Sequence, residues 1–432
     1  MSSEKNGIIP TIDHKPHAAF FRQSGWLMIS AVVAGALALG VHFLAKSESV
    51  SEAQYAAFGT LLMVVACLPT MPLQMIFTQQ TALTLATGRE RQLSGMIRQL
   101  WFWLTVLWLV LAVVVYVFQK DIVAGWQLPD ARGLWVTLLL LLFSLWLPLF
   151  SGILQGRQDF FWLGWSAILG GAGRIVGAVV LVLALGFGSE GMMTGALIGV
   201  GFGAVITIWR TRDLWSLSPE KFDRKSLWHQ VTPLLLGFGA CQFLFTADTM
   251  YAKAYFNDEQ MGPYVAAGTL SRGLLWLVLP LASVMFPKIV QSNAKAEKNN
   301  LFGVVVLGTA VLTLCGGLGL WLVGPLVIKI AFRSAYLGAV DLIPWYAIAM
   351  VPLAMANVLV NDLLARGRYA VVPLTVVLAM AYGLTLPRMI NHFPGRIEVV
   401  LQTLAVFNFL LFLVCAWFTW GAPGRGRPAD GK

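Results

Sequence analysis

Twelve stretches of about 20 apolar residues, the length that spans a bilayer as a helix, follow one another along this chain. By hydropathy they lie near 25–45, 57–77, 100–118, 133–154, 160–186, 191–209, 231–252, 263–286, 301–323, 341–364, 371–389 and 398–420. Such a series admits few folds, because only a segment that pairs its own backbone groups is stable where water is absent. The composition agrees. Of 432 residues, 12% are charged and 58% hydrophobic, against about 25% charged in a soluble domain. The deficit runs along the whole chain, which excludes a water-soluble fold and predicts an all-α polytopic membrane protein.

The loops predict its orientation. With the N-terminus inside, 20 Lys and Arg fall on the cytoplasmic side and eight on the other, leaving Arg174 and Arg272 within spans. That excess obeys the positive-inside rule and puts both termini in the cytoplasm. The net charge of +10 therefore serves topology, and nucleic acid is not expected as a partner. Trp101, Trp126, Trp135, Trp209, Trp228 and Trp420 lie near span ends, where interfacial belts form. Met1 to Gln23 is polar, with no small-residue cleavage site after the first span, and reads as an uncleaved leader. Cys67, Cys241, Cys315 and Cys415 each sit inside an apolar span without CxxC spacing. They read as small buried hydrophobes, with neither disulfides nor a metal site indicated.

The chain also repeats itself. Tyr55-Ala-Ala-Phe-Gly-Thr-Leu61 recurs as Tyr264-Val-Ala-Ala-Gly-Thr-Leu270, an offset of 209, and Leu154-Gln-Gly-Arg157 is echoed by Ala365-Arg-Gly-Arg368 at 211. Two matches in the same order, offset by about half the chain, predict two six-helix repeats. Six being even, the repeats run parallel, related about an axis along the membrane normal, and leave a central cleft between two lobes. The expected organisation is a cytoplasmic leader over 1–24, an N-terminal lobe over 25–209, a basic cytoplasmic linker over 210–230, a C-terminal lobe over 231–420 and a cytoplasmic tail over 421–432. A cleft that opens to either side in turn suits a transporter; a channel or scaffold is the alternative.

No enzyme is expected. The external loops are short, and their acids (Glu48, Glu52, Asp121, Asp130, Asp258, Glu259) stand singly or beside lysines. HExxH, GxSxG and Walker A patterns are missing, so no cofactor and no ATP-driven step is expected. Gly186-Phe-Gly-Ser-Glu-Gly191 matches GxGxxG only in letters, because it joins two membrane spans with no βαβ unit. Gly191, Gly195, Gly199 and Gly203 form a smooth stripe on the sixth span, and Gly173 and Gly177 do so on the fifth. These suit close helix packing, with a sliding surface as the alternative.

Charges at membrane depth are costly and tend to face a cavity. Arg174, Asp248 and Arg272 are the deepest and all fall in the outer half of the membrane. Asp248 and Arg272, on spans joined by a short loop, are placed to pair as a structural lock; otherwise both face the cleft. An arginine fork grips phosphate oxygens and stays charged, which suits an anionic head group at Arg174 and Arg272. His42 is a weaker candidate, also readable as a packing residue. Asp362, with Asn361 and Arg366, reads as a solvated cap or gate at the end of the tenth span.

Thr246-Ala-Asp-Thr-Met-Tyr251, Met261-Gly-Pro-Tyr-Val-Ala-Ala-Gly-Thr-Leu-Ser-Arg-Gly273 and Phe286-Pro-Lys288 resemble the spans seven-to-eight signature of polysaccharide flippases. These belong to the multidrug/oligosaccharidyl-lipid/polysaccharide exporter superfamily. Gly152-Ile-Leu-Gln-Gly-Arg-Gln158, Gly173-Arg-Ile-Val-Gly177 and Gly186-Phe-Gly188 resemble its span four-to-six region, and Ser51-Glu-Ala-Gln-Tyr-Ala-Ala-Phe-Gly59 its opening. The resemblance implies a V-shaped two-lobed protein of the bacterial inner membrane. It would move an undecaprenyl-pyrophosphate-linked oligosaccharide to the outer leaflet for O-antigen, capsule or exopolysaccharide synthesis. Implied partners are that lipid-linked substrate, membrane lipids, and a polysaccharide polymerase with its chain-length machinery. The implied cleft residues are Arg174, Arg272, Asp248 and His42. Lipid II flippases carry several arginines on the first two spans and often two extra helices; this chain offers only His42 there and has twelve spans, which disfavours a peptidoglycan precursor. A cation-coupled multidrug exporter of the same superfamily is the main rival, and a non-transporting subunit of a glycan-synthesis complex is the third reading.

Overall fold

The computed structural model describes residues 15–46, 50–66, 68–125, 128, 130–221, 224–296, 301–331 and 337–421. Residues 1–14 of the expected leader, 422–432 of the expected tail, and Glu48, Cys67, Trp126, Lys298 and Arg333 lie outside them. Every regular element among the described residues is helical. In order they are α1 (Lys15–Gly40), α2 (Glu52–Ala66), α3 (Thr70–Ala86), α4 (Glu90–Gly125), α5 (Arg132–Gly156), α6 (Phe160–Val179), α7 (Gly188–Arg210), α8 (Asp213–Ser216), α9 (Arg224–Tyr255), α10 (Asp258–Ala294), α11 (Leu301–Ala331), α12 (Ala339–Ala365), α13 (Val372–His392) and α14 (Glu398–Ala416). Among the described residues, eleven helices are long and apolar enough to cross a membrane.

The second span departs from the continuous helix expected over 57–77. It breaks into α2 and α3 at Pro69, whose backbone (φ −77°, ψ 61°) has left the helical region. Proline lacks the N–H that an unbroken helix would need there, and it biases the preceding residue away from helix. Other spans are longer than their apolar centres: α4 has 36 residues and α10 has 37. Polar residues at a helix end lower hydropathy without ending the backbone ladder. Trp101 consequently lies inside α4, packed on Trp146 and Trp215, and not at a span end. Cys241 and Cys415 are buried as expected, whereas Cys315 is exposed on α11.

Each half builds the same bundle. In the first, α3 packs on α5, α5 on α7, and α6 on α1 and α7; in the second, α10 packs on α12, α12 on α14, and α13 on α9 and α14. The halves meet where α1 and α3 lie against α9 and α10. Among the described residues, the core they share lies toward the end that carries the 210–230 linker. There Phe20, Leu27, Met75, Ile76, Ala82 and Phe160 of the first half join the hydrophobic core of the second. At the far end the first half closes on itself, around Val41, Phe58, Leu61, Val182 and Met192. The broken span follows this division: α2, at the far end, packs on α5 and α7 of its own lobe, while α3 reaches across to α9 and α10.

The glycine stripe is a packing surface. A Cβ on Gly195 would sit 2.6 Å from the Ala178 backbone nitrogen and 2.7 Å from the Arg174 carbonyl oxygen. No side chain fits, and its absence lets α6 and α7 touch along their length.

Candidate functional site

Tyr264, Gly268 and Arg272 recur every fourth residue on α10 and so share one face. That face meets Asp248 of α9 and Tyr346 of α12. Asp248 is 0% exposed and accepts from the Arg272 guanidinium at 2.6 Å, from the Tyr264 hydroxyl at 2.7 Å and from the Tyr346 hydroxyl at 3.5 Å. Arg272 also donates to the Thr249 hydroxyl at 2.8 Å and lies over the rings of Phe245 and Tyr346. Gly268 makes the room: a Cβ there would fall 2.6 Å from the Tyr346 oxygen and 2.9 Å from an Arg272 nitrogen. Asp248 and Arg272 thus pair, as their positions allowed. The pair ties α9 and α10 together, and the carboxylate's donors all come from within the lobe.

The other two expected site residues are in the opposite lobe. Arg174 of α6 stands beside the α7 glycine stripe, and its neighbour Ile175 packs on Gly40, two residues before His42. The Arg174 Nε is buried without a hydrogen-bond partner. His42 packs against Phe58 with ring centroids 6.0 Å apart. Of the four residues, Asp248 and Arg272 pair in the second lobe, while Arg174 and His42 both lie in the first. Asp362 does not form the solvated cap expected of it. It is 2% exposed and accepts from Arg366 at 2.8 Å, with Asn361 buried beside it, because α12 is sheathed by neighbours as far as Ala365. No group of three or more His, Cys, Asp or Glu able to hold a metal ion occurs among the described residues.

A set of glutamines not among the expected site residues joins the lobes at the linker end. Gln155, fully buried on α5, donates to the Ser283 carbonyl of α10 at 2.9 Å and accepts from Gln74 at 2.8 Å. Gln158 donates to Gln291 at 2.7 Å and accepts from Lys288 at 2.9 Å; Gln291 donates to the Gly156 carbonyl at 3.2 Å. On α3, Gln79 reaches the Tyr369 hydroxyl at 3.2 Å and Gln80 reaches Gln230 at 3.1 Å. All of these bonds lie at the end where the core is shared. Amides inside an apolar run, such as Gln79-Gln80, were the signal available in the sequence. An amide hydrogen bond is worth only about 0.5–1.5 kcal/mol net of hydration, and Lys288, the one charged donor in the set, is only half-buried, so a seal built from such bonds can open at modest cost.

The linker belongs mechanically to the first lobe. Ser94 donates to the Leu214 carbonyl at 2.6 Å, Arg98 to the carbonyls of Trp215 and Leu217, and Arg157 to both oxygens of Asp213 at 2.9 and 2.5 Å. The Arg157 hydrogen bonds hold the Asp213 carboxyl below its ordinary value despite partial burial.

No protein-family model and no curated protein sequence matches the chain. Solved structures do. A multidrug and toxin extrusion (MATE) protein in complex with a ligand aligns with a TM-score of 0.78 at 14% identity, covering 94% of this chain and 95% of the other. A MATE transporter from Vibrio cholerae aligns with a TM-score of 0.74 at 13% identity over 94% and 97%. A transporter of the MOP superfamily (the exporter superfamily introduced above) from Pyrococcus furiosus, described as having a binding pocket of reverse polarity that suggests a different function, gives 0.76 at 14% over 94% and 95%. At such identities the likeness shows the fold: twelve membrane spans in two lobes, as in the MATE transporters of the MOP superfamily.

Proposed function

We propose that this chain is an alternating-access exporter of the cytoplasmic membrane, with its linker end in the cytoplasm and its cleft open outward. The observation that carries this reading is the one-sided closure. The lobes share a core and a glutamine seal at the linker end, and the first lobe closes on itself at the far end. The excess of basic residues at the linker end supports the orientation. One solved relative in fold is described as an outward-facing multidrug resistance MATE transporter, with a TM-score of 0.76.

For the cargo, likeness to MATE transporters supports a cation-coupled multidrug exporter ahead of a polysaccharide flippase. One observation favours the second reading. Asp248 and Asp362 are both matched by arginines, while Arg174 keeps a buried unpartnered nitrogen. That charge pattern suits an anionic group such as the pyrophosphate of an undecaprenyl-linked oligosaccharide, and the Pyrococcus furiosus structure is a precedent for altered pocket polarity on this fold.

Deleting the protein and measuring both drug susceptibility and extracted lipid-linked oligosaccharides by mass spectrometry separates the readings. Hypersensitivity with an unchanged lipid profile supports the drug exporter. Accumulation of one lipid-linked glycan, with its polymer missing from the surface, supports the flippase. If neither changes, the exporter reading falls and a non-transporting subunit takes its place.

A further inference from the structure

An aromatic platform at the linker end of α6 and α7 has no part in the glutamine seal or in the Asp248–Arg272 pair. Trp162 and Trp209 meet edge to face with centroids 5.7 Å apart, Phe161 adjoins Trp162 at 5.6 Å, and Trp26 of α1 stacks on Phe161 at 5.7 Å. Two arginines stand over it. Arg210 lies 5.3 Å from the Trp162 ring and is neutralised by Asp159 at 3.0 Å. Arg212 lies 5.5 Å from the Trp209 ring, is exposed, and has no ion-pair partner among the described residues. The nearby acids are taken: Asp213 by Arg157 and Asp159 by Arg210. Running away from Arg212 along α7, Trp209, Val205 and Phe202 follow at helical spacing and are 47%, 61% and 53% exposed. They form one apolar stripe beneath one uncommitted guanidinium.

We infer that this is a binding site for an anionic phospholipid, its phosphate on Arg212 and an acyl chain along the Phe202–Val205–Trp209 stripe. The guanidinium supplies paired donors that match phosphate oxygens, and its stacking on the indole holds that fork in place. Tryptophan at this level marks the boundary between head groups and hydrocarbon, so the stripe below it lies at acyl-chain depth. A net negative head group is preferred because Arg212 brings a full positive charge with no counter-ion among the described residues. A lipid is preferred over a free anion because the chain adds apolar contact that inorganic phosphate lacks.

The test is native mass spectrometry of the purified full chain in detergent, titrated with phosphatidylglycerol and, separately, with phosphatidylcholine. The expected result is tighter binding of phosphatidylglycerol, weakened about five-fold by Arg212→Gln and unchanged by Arg388→Gln at the opposite end. Because Arg212 is exposed, its variant should melt like the parent, which separates lost binding from lost fold. Equal phosphatidylglycerol binding by the Arg212→Gln protein would overturn the site. So would displacement of the lipid by millimolar inorganic phosphate, since the anion alone would then suffice.

Discussion

Arg272 donates through a single guanidinium nitrogen to both carboxylate oxygens of Asp248, at 2.8 and 2.6 Å. Both charges have left water, and each is tolerable only while the other is present. Removing one partner of such a buried pair costs about 3–5 kcal/mol, whereas removing both costs much less. Arg272→Gln and Asp248→Asn should therefore each lower the melting temperature and the monodisperse yield, and the double variant should recover most of the loss. Single variants that melt like the parent would refute a structural role for the pair.

Arg174 has no comparable partner, so its loss should fall on transport and not on folding. Arg174→Gln should reach the membrane in normal amounts and fail to complement a deletion strain. Arg174→Lys should restore part of the activity, because a point charge lacks the planar fork. Full complementation by Arg174→Gln would remove this residue from the cargo site.

The Gln158–Gln291 bond at 2.7 Å brings the two lobes together at the linker end. In a background without native cysteines, Gln158→Cys with Gln291→Cys should cross-link readily and halt transport until reduced. Alternating access requires this seam to part. A cross-linked protein that still exports would contradict the gate.

Glycines on α7 should respond according to what faces them. A Cβ at Gly195 meets the α6 backbone at 2.6 Å, whereas Gly201 has nothing within 4 Å. Gly195→Ala should destabilise by about 1–3 kcal/mol through overpacking, and Gly201→Ala should be neutral or slightly stabilising, since alanine favours helix. Thermal melts of the two variants decide this directly.

Asp213 sets the pH dependence of the linker attachment. Its carboxyl is held below the ordinary value of 3.8 by Arg157. A depressed carboxylate contributes its stability above the unfolded value and loses it as pH falls through the folded value. The protection of residues 213–221 against hydrogen exchange, measured relative to the intrinsic rate at each pH, should therefore be flat from neutral pH down to about pH 5 and fall only below that. Asp213→Asn should lower that protection at neutral pH and remove its acid dependence, because the parent loses the same contact once Asp213 is protonated.

The spacing and number of apolar segments, with basic loops on one side, sufficed for an all-helical protein of twelve spans in two parallel repeats. That information is local: a segment of about 20 residues is apolar or it is not, and proximity alone suggested Asp248 and Arg272 as partners. Long-range packing decided the rest. Tyr346 of α12 closes on Asp248 from nearly a hundred residues away, and nothing in the spacing of either residue points to the other. Gln155 and Gln291 read singly as stray amides in apolar runs, and become a seal only when α5 and α10 are side by side. Asp362, polar and near a helix end, looked solvated, but burial depends on neighbouring helices that its own sequence does not describe. The direction in which the cleft opens is likewise tertiary, because it rests on which end of the two lobes shares a core.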